Sequence, residues 1–221
     1  MFNKNFLLLV LGAAFYSIFF GCKSKSSPSD DNDFDDTGAL KVDQYVVRKG
    51  HAVQDWRCDE VQFDRICHPN KWEVSDQKKR LFLTTINELD SNSFFTVVRY
   101  DVAANSINAE KYLRLMYSRL YLDTVEVFDS YTLKKLNFEH RTSYYGEFKT
   151  RINSVSYISL TMTLEFNGLL YDFALKTKES KKDEYYEIFQ DILYNYRSNN
   201  KAIFSEKDDI KSFKEIDMSK I

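Results

Sequence analysis

The chain has 221 residues, 16% of them aromatic, with 15 Tyr and 18 Phe against only 6 Gly and 2 Pro, which is material for one core-bearing domain. Gly12 and Gly21 fall in the first 21 residues and Gly38 and Gly50 in the approach to the domain, so only Gly146 and Gly168 remain inside it and glycine-rich phosphate loops are excluded. The formal net charge is −2, the net negative excess sits ahead of the domain, and no clustered basic face is left to neutralise phosphates, which argues against nucleic acid as a partner.

Residues 1–21 read as a secretion signal, with Lys4 as the basic start and an apolar run from Phe6 to Phe20 that is shorter than the roughly 20 residues a bilayer span needs. Phe19-Phe20-Gly21-Cys22 resembles a lipobox, which makes Cys22 the lipidated first residue of the mature chain and the membrane its first partner. Residues 22–45 follow as a tether in which Lys23 and Lys25 stand against Asp30, Asp31, Asp33, Asp35 and Asp36. Such a segment buries no apolar area and is expected to be disordered. It lacks the Gly and the closing Glu of an EF-hand loop, so a solvated acidic linker is expected rather than a calcium site. An acidic run after the lipidated cysteine also resembles the composition that sends some Gram-negative lipoproteins to the outer face of the outer membrane. The expected address is therefore the cell envelope, at the outer membrane, with the leaflet open.

The domain proper is expected over 46–198. Cys58 and Cys67 are the pair left once Cys22 carries lipid, and in an oxidising compartment a disulfide is expected. The alternative is a metal site with Cys58, Cys67 and His68 as three ligands, for which no fourth is evident. Val61 to Cys67 reads as a strand that stops at His68-Pro69-Asn70-Lys71-Trp72, because Pro69 has no N–H to give a ladder. Arg80 to Thr85 and Ser93 to Asp101 read as further strands. A helix then starts at Ser106 as N-cap and puts Ala109, Tyr112, Leu113, Met116 and Leu120 on one stripe.

Thr124 to Phe128 and His140 to Phe148 read as strands, the latter with Gly146 as an irregularity. Asn167-Gly168 between two alternating runs is the strongest local mark of a type I′ hairpin. It sets Phe166 against Leu169, Leu164 against Tyr171, Met162 against Phe173 and Leu160 against Leu175 on an apolar face, with Thr163–Asp172 and Ser159–Lys176 on a solvated or partly covered one. A second helix follows Ser180, with Tyr185, Ile188, Phe189, Ile192 and Tyr196 opposite Lys182, Glu184, Glu187, Asp191 and Asn195. Residues 199–221 form a charged tail with one short helix, since Ser205-x-x-Asp208 resembles a capping box ahead of Ile210, Phe213 and Ile216. This order describes an α+β fold, a central antiparallel β-sheet flanked by helices, as a single domain after the signal and tether.

Ile66-Cys67-His68-Pro69-Asn70-Lys71-Trp72 resembles the strand ending in Tyr-Pro-x-x-Trp of the PsbP-like and DcrB-like proteins. The strand Phe94-Phe95-Thr96-Val97-Val98, the helix at 106–122, the long hairpin and the closing helix at 184–197 extend the resemblance over about residues 60–198. It implies a central antiparallel sheet flanked by helices, in proteins that serve mostly as accessory or binding components of membrane assemblies. It carries over no catalytic residue set and no cofactor.

The three histidines, His51, His68 and His140, form no metal-binding or catalytic spacing, and there is no G-x-S-x-G elbow. Glu139-His140-Arg141 is the one compact polar cluster near a strand. Tyr117, Tyr186 and Tyr194 lie off the apolar stripes of their helices and are the candidate binding residues. The function expected from these features is a membrane-anchored, non-enzymatic accessory or binding component of an envelope assembly with a protein partner. The alternative is a small-ligand carrier or hydrolase with a site between sheet and helix.

Overall fold

A computed structural model of the protein describes residues 47–48, 51–52, 55–75, 81–120, 126–204 and 210–218. The signal stretch 1–21, Cys22, the tether 22–45, Arg80, Thr124 and the Ser205–Asp208 capping box lie outside the described residues. In chain order the elements are a short ladder of β1 (Val47–Arg48) and β2 (His51–Ala52), then β3 (Trp56–Val61), β4 (Asp64–Pro69), β5 (Glu73–Val74), β6 (Phe82–Thr85) and β7 (Phe94–Asp101). Helices α1 (Val102–Asn105) and α2 (Ala109–Leu120) follow, then β8 (Val127–Asn137), β9 (Thr142–Ile152), β10 (Val155–Phe166) and β11 (Leu169–Lys178). Helix α3 (Lys182–Asn195) and the strands β12 (Arg197–Ser198), β13 (Lys201–Ala202) and β14 (Ser212–Glu215) complete the fold.

Antiparallel sheet dominates, as expected. One sheet runs β14-β8-β9-β10-β11-β7-β6-β5, and a smaller one runs β13-β12-β4-β3. The β10–β11 hairpin has the anticipated register, Leu164 opposite Tyr171, Met162 opposite Phe173 and Leu160 opposite Leu175. Asn167 and Gly168 have φ of 52° and 78°, the left-handed pair that a type I′ turn requires. The same pair of left-handed residues closes two further two-residue turns without glycine, at Asn153-Ser154 and Asn199-Asn200.

Period-2 alternation gives the large sheet two different faces. On one, Leu160, Met162, Leu164, Tyr171, Phe173 and Leu175 pack with Tyr185, Phe189, Ile192 and Tyr196 of the α3 segment and with Trp56 and Ile66 of the small sheet. On the other, Leu133, Tyr144, Phe148 and Leu170 pack with Ala109, Tyr112 and Leu113 of α2. The Pro69-x-x-Trp72 corner is the joint of the first cluster. The Trp72 backbone N–H donates to the Pro69 carbonyl at 3.1 Å, and the buried indole lies between Phe95 (6.1 Å) and Tyr185, with which it is stacked at 6.4 Å.

Several elements differ from the sequence expectation. Trp56 to Pro69 is a hairpin rather than one strand from Val61, with Gln62 turned to φ 62° at the bend, and β4 runs on through His68 to Pro69. Ser106 does not start the helix: it closes α1 with φ 48°, and α2 is capped by Asn108, whose side-chain oxygen accepts the Lys111 N–H at 2.8 Å. Met116 of the expected stripe is exposed. Thr163 and Asp172 are buried on the face that α2 covers, and Asp191 and Asn195 are buried although they belong to the polar side of their helix. Ser212–Glu215 is a strand on the edge of β8, not helix, and Ile203, Phe204 and Met218 are buried in the two clusters. Gly146 sits in regular pairing between Leu133 and Thr161; the irregularity of that ladder lies at Phe128/Ser130.

Candidate functional site

At the rim of the large sheet, the N-terminus of α2, the start of β9 and the end of β10 surround a recess of about 380 Å³. The chain folds this way because the tight turns at either end of β10 bring Glu165 beside Tyr144, while Asn108 ends α2 over the same strands. The Glu165 carboxylate accepts the backbone N–H of Ala109 at 2.9 Å, so the free amide end of the helix is satisfied by the sheet itself. Glu110 Oε1 accepts the Tyr144 hydroxyl at 2.8 Å and the Lys135 ammonium at 3.2 Å. The Tyr144 hydrogen bond, then that of Lys135, holds the Glu110 carboxyl below its usual range. Burial and the Glu110 carboxylate push the Tyr144 hydroxyl up.

His140 and Arg141 line the same recess. The Arg141 guanidinium donates to the Ile203 carbonyl and lies over the Phe204 and Phe138 rings, at 4.4 and 5.0 Å, which commits it to the C-terminal segment. His140 is exposed and makes no hydrogen bond among the described residues. The recess therefore has carboxylate oxygens and an imidazole facing solvent, and among the described residues His140 is not hydrogen-bonded to either carboxylate. The sheet–helix interfaces beside it are filled by the apolar clusters.

The other residues singled out by sequence lie elsewhere. Cys58 and Cys67 face each other across β3 and β4 and are disulfide-bonded, so neither sulfur is available as a thiolate ligand. His68, the third member of the metal alternative, is buried with its Nε2 2.8 Å from the Asp59 carboxylate and its ring against Phe82 at 5.2 Å. That hydrogen bond, opposed by burial, leaves the Asp59 carboxyl below its ordinary value. The side chain of His51 lies outside the described residues.

Tyr117, Tyr186 and Tyr194 do not form one patch. Tyr117 is half-buried on the α2 side, edge-on to Tyr131 at 5.5 Å. Tyr186 and Tyr194 are half-buried on the α3 side, and Tyr186 meets Tyr145 edge-on at 6.2 Å. Of the recess, the sequence marks out His140 and Arg141 but not Asn108, Glu110 or Glu165. The signal was present in Asn108-x-x-Lys111, which has the spacing of a cap, whereas Glu165 enters only through the hairpin register.

No protein-family model and no curated protein sequence matches the chain. Among solved structures it is similar to PsbP of the cyanobacterium Synechocystis, at 11% identity and a TM-score of 0.51, over 69% of this chain and 98% of that one. LpqN, involved in cell envelope biogenesis of Mycobacterium tuberculosis, matches at 11% identity and a TM-score of 0.40, over 60% of this chain and 81% of its own. A Pseudomonas aeruginosa protein of unknown function matches at 8% identity and a TM-score of 0.38, over 61% of this chain and 91% of its own. The match to PsbP over most of both chains makes this mainly antiparallel sheet a PsbP-like fold.

Proposed function

We propose that the protein is an accessory domain of the cell envelope, anchored to a membrane through lipid on Cys22 and working by binding a protein partner there. The observation that carries this reading is the closure of both faces of the large sheet by packed side chains, which leaves recognition to the surface and to the rim recess. The lipobox-like Phe19-Phe20-Gly21-Cys22 and the acidic tether supply the anchor, and no helix among the described residues is long and apolar enough to cross a membrane. The PsbP-like fold is compatible with an accessory role.

Two measurements test it. Metabolic labelling with a fatty acid should mark the wild type and not Cys22→Ala; label on the variant removes the anchor. Co-purification from detergent extracts should recover a partner, and recovery of none under several extraction conditions counts against the binding role. A second reading, a small polar ligand in the recess, is favoured by the solvent-facing His140 and Glu165. It requires that His140→Ala and Glu165→Ala abolish saturable binding of such a ligand without lowering stability by more than about 1 kcal/mol.

A further inference from the structure

Helix α2 is amphipathic, but its outer side is not uniformly polar. Ala109, Tyr112 and Leu113 are buried against the sheet, and the opposite side carries Lys111, Arg114, Leu115, Ser118 and Arg119. Leu115 is 49% exposed and the neighbouring Met116 36%. Several cations on the sheet are neutralised within the chain: Lys135, Lys149, Arg151, Lys178 and Lys182 each have a carboxylate within 3.3 Å. Arg114 and Arg119 make no ion pair among the described residues, and they flank the two exposed apolar side chains on one 12-residue helix.

We infer that this face of α2 seats the domain on an anionic lipid surface. The inference rests on the proposed lipid anchor, which keeps the domain within a tether's length of a bilayer. The charge is complementary: two guanidiniums that make no ion pair among the described residues meet lipid phosphates, and Leu115, with Met116 at the edge of the face, enters the headgroup boundary, as in helices that lie in the membrane interface. Guanidinium groups suit this role because their planar forks bind phosphate oxygens in pairs. A helix lying flat would leave the rim recess at its N-terminal end open to a partner on the same surface.

The experiment uses the full chain reconstituted into vesicles of phosphatidylcholine, with or without phosphatidylglycerol, and a polarity-sensitive dye on the thiol of Ser118→Cys. Ser118 is exposed, and Cys58 and Cys67 are bonded to each other. Sedimentation with phosphatidylcholine vesicles reports the anchor alone; its failure would count against the anchor and not against docking, because the dye reports docking separately. The dye should shift to the blue only with phosphatidylglycerol, and the shift should fade as salt is raised. Arg114→Gln with Arg119→Gln should lower the ratio of docked to undocked chain roughly 30-fold, at about a tenfold change per 1.4 kcal/mol and one kcal/mol per cation. No shift on phosphatidylglycerol vesicles that do sediment the chain overturns the inference, as does a shift that the double variant retains. A shift produced only by proteins of an envelope extract would assign the face to a protein and overturn the lipid.

Discussion

The Tyr112 hydroxyl donates to the Asp172 carboxylate at 2.7 Å, across the joint between α2 and the large sheet. Thr163 donates to the other oxygen of the same carboxylate at 2.7 Å, and neither hydroxyl brings a positive charge. An acid buried with only neutral partners resists ionisation, and burial pushes the Asp172 carboxyl up to about 6 from an ordinary 3.8, with both hydroxyls acting against it. The middle of α2 is thus held to the sheet by a group whose charge depends on mild acidity.

The folded chain binds this proton more tightly than the unfolded one, so Asp172 favours folding at low pH and that contribution is lost as pH rises from about 4 through about 6. Comparing the wild type with Asp172→Asn by denaturant unfolding should show a stability difference that moves by on the order of 3 kcal/mol across that window, with the wild type relatively weaker at the alkaline end. Parallel pH profiles for the two proteins would remove Asp172 as the titrating group.

Gly146 lacks a side chain because Phe148 and Thr161 occupy its place. A Cβ built there would lie 2.5 Å from the Phe148 ring and 2.6 Å from the Thr161 hydroxyl. Gly146→Ala should therefore cost about 1–3 kcal/mol in spite of the better strand propensity of alanine, because Phe148 has to leave its place beside Tyr131. Combining it with Phe148→Leu should return part of that loss in a double-mutant cycle. Additive costs would place the effect outside the Gly146–Phe148 contact.

How far these relationships could be read from sequence depends on how local they are. The Asn167-Gly168 turn and the Leu160 to Leu175 pairing were legible because a two-residue turn and period-2 alternation determine both face and register. β8 was mostly missed, since the irregularity at Phe128/Ser130 breaks its alternation and Asp129, Lys134 and Lys135 make it look like a solvated loop. Ile210, Phe213 and Ile216 have a spacing that suits a helix, but pairing of Phe213 with Leu136 on the edge of β8 overrides it. The rim recess was half legible: His140-Arg141 stood out as a polar cluster, while Glu165 and Glu110 belong to it only through tertiary contacts.

The disulfide offers a measurement of the small sheet's weight in the fold. Cys58 and Cys67 are nine residues apart and lie directly opposite each other, so the bond closes a short loop. Its loss in Cys58→Ala with Cys67→Ala should lower stability by about 2–3 kcal/mol, the loop-closure contribution for that length. Reductant should lower the unfolding midpoint of the wild type and leave the double variant unchanged. A variant as stable as the oxidised wild type would show that the hairpin turn at Gln62-Phe63 already sets the register.

The tie between the two sheets is ionic and costs more to break than the disulfide within the small sheet. Asp64, at the first position of β4, is fully buried; it pairs with Arg99 of β7 and accepts the Tyr171 hydroxyl at 3.2 Å, which in turn meets Ser198 of β12 at 2.8 Å. Side chains of four separate strands are thus joined in one chain of polar contacts through this carboxylate. Arg99 is additionally stacked over Phe63 at 4.1 Å, so its position is fixed from both sides. Removing only one partner strands a charge in a poorly solvated place, and Asp64→Asn should cost about 3–5 kcal/mol. Replacing both, as Asp64→Asn with Arg99→Met, removes the stranded charge and leaves an unbranched apolar side chain beside Phe63. The double variant should accordingly be more stable than Asp64→Asn alone, with a coupling of at least about 1 kcal/mol between the two positions in urea unfolding. Costs that simply add would mean that Arg99 is solvated well enough to dispense with Asp64, and that the hydroxyls of Tyr171 and Ser198, not the ion pair, join the small sheet to the large one.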